Sequence, residues 1–352
     1  MENKQVGIIT FHSADNYGAV LQAYALQHYI EKSFDYNVEI IDYRETDENS
    51  GPFVFVRATH NFFKDLVLSV IRFLNYSSLK RRQERFEEFR KELLHLTHQR
   101  YIGTESLKRV RKDFYISGSD QVFNPNLKNY KAYYLDFDKG HGKKIAYAPS
   151  FGISTFNDDI TRQILPLLAD FDVLSCREES GASYLSKILN RTVPIVVDPV
   201  FLLSKEEWSR VGILPKRKQY LLVYSLSRGK SRLLQKIAKE VAAKECLDII
   251  TIENEGPREF VGYIMGADFV VTDSFHGTSF SLIFGKRHIS CILNKSKGTR
   301  IENVMRMVGK ENEIVYDLVS YKYHPEEIKS YSVNDLPEIE KSKEFLKVHL
   351  SN

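Results

Sequence analysis

Apolar and polar positions fall into blocks along this chain, and the blocks recur in one order. Residues 6–11, Val6-Gly7-Ile8-Ile9-Thr10-Phe11, form a continuous apolar run that predicts a buried strand. A polar loop from His12 to Gly18 follows. Then Ala19, Val20, Ala23, Leu26, Gln27 and Ile30 fall on one helical face. Residues 38–43 predict a second strand, and strand–helix–strand in this order predicts a parallel sheet. Further apolar runs end in small polar residues at Ser117-Gly118-Ser119-Asp120-Gln121, at Pro149-Ser150-Phe151-Gly152 and at Arg177-Glu178-Glu179-Ser180. Residues 193–197 close this half with one more apolar run.

Residues 204–219 are polar, with the basic run Lys216-Arg217-Lys218, and then the pattern restarts. Strands are predicted over 220–226, 247–252, 267–271 and 286–292, and helices over 231–245, 260–265 and 298–308. A last helix is predicted over 336–350, with Ile339, Phe345, Leu346 and Leu350 buried. The expected fold is α/β: two Rossmann-like lobes, 1–205 and 216–320, with a cleft between them and a tail and helix over 321–352. An inserted helical pair is predicted at about 53–96. Its first part carries Phe62, Phe63, Leu66, Val67, Val70, Ile71 and Leu74 at helical spacing, and its second part, 79–94, is crowded with charge of both signs. A hairpin packed on the sheet fits it, and an amphipathic face for peripheral membrane contact is the sharper alternative.

The chemistry is expected where the strand over 267–271 runs into Thr272-Asp273-Ser274-Phe275-His276-Gly277-Thr278-Ser279 and a new helix begins. α/β proteins bind ligands at the carboxyl ends of strands and at helix N-termini. His276 carries a proton near neutral pH, and Gly277 allows close backbone approach. A capping or core histidine is the alternative. In the first loop, Asn16 either orients a ligand or makes the turn with Gly18, and its backbone N–H groups can hold an anion. The loop lacks G-x-G-x-x-G, so it is no dinucleotide fingerprint. Asp120 reads as a ligand-loop residue or a cap. Arg177 reads as an anion clamp or as a structural partner of Glu178 or Glu179.

Composition narrows the partners. The 352 residues carry 50 basic and 46 acidic side chains, net +4, which gives no footprint for nucleic acid and suits an anionic small substrate. Cys176, Cys246 and Cys291 lie far apart and fit no metal spacing, as expected of reduced thiols in a cytoplasmic protein. No apolar run approaches the ~20 residues that span a bilayer. The polar N-terminus leading straight into a strand predicts no signal peptide.

Several motifs in one order carry a resemblance. They are Gly7-Ile8-Ile9-Thr10 with Asn16-Tyr17-Gly18-Ala19-Val20-Leu21-Gln22-Ala23, Gly118-Ser119-Asp120-Gln121-Val122-Phe123-Asn124-Pro125, Arg177-Glu178-Glu179-Ser180, Asp198-Pro199-Val200 and Thr272-Asp273-Ser274-Phe275-His276-Gly277. Together they resemble the polysaccharide pyruvyl transferase family over about residues 5–310. The resemblance implies a GT-B-like pair of lobes. It also implies transfer of the pyruvyl group of phosphoenolpyruvate to a sugar, often as a cyclic ketal. Many members carry Ser-Arg-Leu-His where this chain has Asp273-Ser274-Phe275-His276, so Ser274 stands in place of an arginine.

Ketal formation needs cations for a phosphate and a carboxylate, and a proton for the donor's methylene carbon. His276 is the expected catalytic residue. Arg177 and Arg300 are the expected anion clamps. Asn16, Tyr17, Gly18, Gly118, Ser119, Asp120, Gln121, Ser274, Gly277 and Thr278 are the expected substrate-binding positions. Phosphoenolpyruvate is the expected donor, no further cofactor is expected, and the acceptor saccharide is free or lipid-linked, met in the cytoplasm or at the inner face of the membrane. The alternatives are a nucleotide-sugar glycosyltransferase and an inactive carbohydrate-binding homologue, the latter suggested by Ser274.

Overall fold

The computed structural model describes residues 3–45, 76–138, 140–153, 155–226, 231–293, 295–317, 321, 328–331, 333 and 336–351. The first half of the predicted helical pair, with Phe62 to Leu74, lies outside them.

The first half of the chain runs β1 (Gln5–Ile9), α1 (Tyr17–Phe34), β2 (Asn37–Ile40), β3 (Tyr43–Arg44), α2 (Tyr76–Leu93), β4 (Tyr101–Ile102), α3 (Gly103–Leu107), β5 (Phe114–Ser117), α4 (Tyr130–Tyr133), β6 (Lys143–Ala146), α5 (Asp158–Ala169), β7 (Val173–Leu174) and α6 (Glu179–Leu189). Its main sheet has the order β2-β1-β5-β6-β7, and every pairing is parallel. The continuous apolar strands are explained by helices on both faces. Residues 193–197 add only an isolated bridge, Cys176 with Ile195.

The second half begins with α7 (Lys205–Val211), inside the stretch that composition marks as polar. Ser204 and Glu207 form a reciprocal capping box at its start. Trp208 is fully buried, donates to Val200 O at 2.9 Å and meets Phe280 edge-on at 4.8 Å. There follow β8 (Tyr220–Tyr224), α8 (Arg232–Glu245), β9 (Asp248–Thr251), α9 (Pro257–Gly266), β10 (Phe269–Thr272), α10 (Phe275–Ile283), β11 (Arg287–Ser290), α11 (Lys295–Met307) and α12 (Pro337–Leu350). The second sheet, β11-β10-β8-β9, is also parallel throughout. Helix α12 returns to the first half: Val197 N donates to Ser342 Oγ, and Tyr36 Oη donates to Leu350 O.

Two parallel-sheet lobes with a helix crossing back are the GT-B-like layout that the resemblance implies. In the first sheet the order reverses between β1 and β5, and in the second between β8 and β10. Open α/β sheets bind ligands at such switch points. The loop after β1 leads to Gly18, the loop after β5 holds Asp120, and the loop after β10 leads to His276, so these switch points meet along the seam between the lobes. Much of that seam is closed by aromatics. Tyr17 stacks on Phe260 at 4.6 Å and meets Tyr224 edge-on at 5.8 Å, and one buried cluster runs through both lobes. Helix α2 ties the same seam: Arg82 donates to Tyr17 Oη and to Glu253 O.

Candidate active site

Three loops bring Asp120, Arg177 and Asp198 together with His276 of α10 and Arg300 of α11. Asp198 caps a short 3-10 turn, Pro199–Leu202, through its Oδ1, which accepts from Val200 N at 3.2 Å. Its other oxygen, Oδ2, accepts from Arg177 Nη1 at 2.6 Å and from Ser119 Oγ at 3.2 Å. Arg177 is buried, and Glu178 Oε1 lies 3.5 Å from its Nε, with Asp120 Oδ1 3.9 Å from its Nη2. Burial would lower its pKa, but Glu178, Asp198 and Asp120 outweigh burial and push it above the ordinary value. The guanidinium also lies over the ring of Phe275, 5.2 Å from its centre.

His276 is in the first turn of α10, which Ser274 caps by accepting from Gly277 N. Its Nε2 is 3.9 Å from Asp198 Oδ2, too far for a hydrogen bond. Burial, aided by Arg177 and Arg300 and opposed by Asp198 and Asp120, pushes its pKa down to about 4, so the ring is neutral at pH 7. Arg300 makes no hydrogen bond or ion pair within the described residues. Burial, then the like charge of Arg177, lowers its pKa.

Three buried atoms in this cluster have no hydrogen-bond partner: His276 Nε2, Arg177 Nε and Arg177 Nη2. Buried donors and acceptors are ordinarily satisfied, and an orphan costs about 1–3 kcal/mol. Asp120 adds strain, because its φ of 72° and ψ of −168° lie in a region nearly reserved for glycine. The surrounding fold therefore holds a strained carboxylate beside an arginine and a histidine that keep three buried nitrogens without a hydrogen bond.

The other expected positions divide. Ser119 is inside the cluster through Asp198, and Ser274 supports it as the cap beneath His276. Gln121, half-buried, lies against Gly152 beside the cluster. Asn16 caps α1 by accepting from Ala19 N, which is the turn-making role. Tyr17 is spent in the interlobe aromatic core, its hydroxyl donating to Glu255 O at 2.7 Å. Gly18 faces His276 itself. Gly118 faces Thr10, and Gly277 faces Thr272, where a Cβ would lie 2.3 Å from Oγ1. Thr278 points away, sharing a hydrogen bond with Ser290 at 2.7 Å behind α10. The small residues near His276 thus permit tight packing rather than open space. Asp198 and Glu178 were not among the expected site residues, although Asp198-Pro199-Val200 is one of the motifs that carry the resemblance and Glu178 was read as a structural partner of Arg177. Among the described residues no group of carboxylates, histidines and cysteines could hold a metal ion. None of the helices there is long and apolar enough to cross a membrane.

Arg177, Asp198, Phe275 and Arg300 form one end of a cavity of about 410 Å³ that runs between α11 and α12. That volume falls within the roughly 300–1,000 Å³ range of small-molecule sites.

Two parallel-sheet lobes whose facing switch points carry a buried cluster of arginines, carboxylates and one histidine define an α/β protein of GT-B-like layout. Residues 16–296 match the polysaccharide pyruvyl transferase family, and the chain belongs to that family. Among solved structures it is similar to the Methanocaldococcus jannaschii UDP-GlcNAc 2-epimerase in complex with UDP-GlcNAc and UDP, at 11% identity, 99% of each chain and a TM-score of 0.47. It is also similar to an E. coli heptosyltransferase with ADP, at 10% identity over 98% of this chain and 99% of that one, TM-score 0.40. A functionally uncharacterized protein of Klebsiella pneumoniae subsp. pneumoniae gives 13% identity over 86% of this chain and 96% of that one, TM-score 0.39. Likenesses this distant have no bearing on what the chain does. No curated protein matches it.

Proposed function

We infer that the protein transfers the pyruvyl group of phosphoenolpyruvate to a pair of hydroxyls on a sugar of a polysaccharide or its precursor, forming a ketal. The observation that carries this reading is the set of orphaned buried atoms on His276 and Arg177 beside the guanidinium of Arg300, which has no hydrogen bond or ion pair among the described residues, in a chain of this family. Arg300 and the Nε–Nη2 edge of Arg177, which has carboxylates nearby but makes no hydrogen bond, hold the donor's phosphate and carboxylate. Their bidentate geometry suits both groups.

Donor charge beside His276 favours the imidazolium, so binding itself raises the depressed pKa and loads the acid. An acceptor hydroxyl oxygen then bonds to C2 of the donor while His276 gives its proton to C3, which becomes a methyl group. Asp120, close enough to His276 to bear on its charge, takes the hydroxyl proton. In the second half the C2–phosphate bond breaks, the second hydroxyl oxygen closes the ring, and its proton leaves on the phosphate. Transfer of the first proton from Asp120 back to His276 restores the site. This reading sets the protein in the cytoplasm, where the donor is made, with an acceptor that is free or lipid-linked.

The test is incubation with phosphoenolpyruvate and a panel of saccharides, following inorganic phosphate and the mass of the saccharide together. Phosphate release coupled to a saccharide mass gain is expected. Nucleotide-sugar consumption without phosphoenolpyruvate turnover would establish a glycosyltransferase instead.

A further inference from the structure

The cavity beside the cluster is lined by more than an anionic three-carbon donor needs. At its buried end are Arg177 and Arg300; beyond them the walls are mainly apolar, with Phe275 and Val304 buried and Ile195 half exposed, and the charges of Arg306 and Glu179 there are paired with each other at 3.2 Å. Near its mouth stand Asn303 of α11 and Glu338 and Lys341 of α12. None of these three side chains makes a hydrogen bond or ion pair within the described residues. A pyranoside has this same division: carbon-bound hydrogens on its ring faces and hydroxyls around its edge. Apolar walls with a few convergent polar groups are the usual design for such a ligand. The opposite charges of Glu338 and Lys341 suit neutral hydroxyls, which accept from one and donate to the other, better than a second anion.

We propose that this cavity is the acceptor subsite, and that α12, the helix that crosses back to the first lobe, contributes its specificity through Glu338 and Lys341. The assignment rests on the pyruvyl-transfer reading for the identity of the reaction, but sugar binding in the cavity is measurable without it. An acceptor ring here has its inner edge at Arg177 and Arg300, beside the donor anion those arginines hold. Its two inner hydroxyls are the ones converted to the ketal, and the rest of the saccharide extends past α12 into solvent.

The probes are methyl glycosides of common hexoses and 2-acetamido-hexoses. Saturation-transfer NMR reads their binding without donor, and acceptor KM and donor affinity are read separately with phosphoenolpyruvate. Lys341→Ala and Glu338→Ala alter exposed side chains and leave the core intact; Val304→Trp fills the cavity from within. The surface variants should raise the acceptor KM roughly tenfold, the loss of a hydrogen bond to a charged group, while donor affinity stays within about twofold. Val304→Trp should abolish glycoside saturation transfer. No glycoside signal from the native protein overturns the proposal, as does a signal that all three variants leave unchanged. If glycosides bind in the cavity but phosphoenolpyruvate is never consumed, the pyruvyl-transfer reading fails and the cavity assignment stands.

Discussion

The imidazole of His276 packs directly on the α-carbon of Gly18: a Cβ at Gly18 would lie 2.0 Å from Nδ1 of His276. This contact joins the first turn of α1 in one lobe to the first turn of α10 in the other. It fixes the face of the ring and directs Nε2 toward Asp198. Gly18→Ala cannot be accommodated unless the ring or the lobe moves. We expect it to cost about 1–3 kcal/mol of stability, as overpacking does. Turnover should fall by more than the stability loss accounts for, because the acid is displaced. A chemical denaturation curve and a turnover rate on the same preparation check this; normal turnover in a folded Gly18→Ala variant shows that the ring's position is unimportant.

The two arginines should fail differently. Arg177 neutralises Asp198 and stands beside Glu178, so Arg177→Ala leaves buried charge uncompensated and should destabilise the fold by about 3–5 kcal/mol. Arg300 pairs with no carboxylate among the described residues. Arg300→Ala should leave the melting temperature close to native and weaken phosphoenolpyruvate binding by about 1.5–3 kcal/mol. Calorimetric titration with the donor separates the two, and unchanged affinity in Arg300→Ala removes that residue from the donor site.

Asp120 is held where glycine belongs. Asp120→Gly removes strain of about 1–3 kcal/mol and adds about 0.5–1 kcal/mol of unfolded-chain entropy. The expected outcome is a protein at least as stable as the native one, with turnover reduced by ~10²-fold or more for loss of the base. A loss of both stability and activity would mean that the carboxylate is structural.

The depressed pKa of His276 makes a pH signature. Folded, the ring stays neutral down to about 4. Unfolded, it takes a proton below about 6.5. Its contribution is therefore fully present above pH 6.5 and is lost as pH falls toward 4, on the order of 3 kcal/mol in all. Urea midpoints of native protein and His276→Gln should diverge in slope across that window, the native protein losing more. Parallel curves would mean that the ring is not desolvated.

The lobes were legible because buried parallel strands are apolar without interruption, as at Ile8-Ile9 and Val270-Val271. Helix α7 was not, because average composition hides one buried Trp208 among lysines and glutamates; the spacing of Ser204 and Glu207 was the signal present. His276, Arg177 and Asp120 were singled out by asking what the loops after strands could do, and Arg300 as an arginine at a helix start; the fold gathers the four in one cluster. Tyr17 and Thr278 were drawn in by adjacency, since sequence neighbours on a helix face different ways. Asp198 stood in a recognised motif, but its place in the site was not read, because its contact with Arg177 joins residues far apart in sequence.

Proton delivery to the donor's methylene carbon is the centre of the account, and the product made in deuterated water reports on it directly. Purified protein, phosphoenolpyruvate and an acceptor are incubated in D2O, and the transferred group is examined by NMR. The account predicts a ketal methyl carrying a single deuterium, formed together with inorganic phosphate, and turnover in His276→Gln reduced by ~10²–10⁴-fold. A product that keeps vinyl protons, as an enolpyruvyl ether does, or a His276→Gln variant with near-native turnover would contradict it.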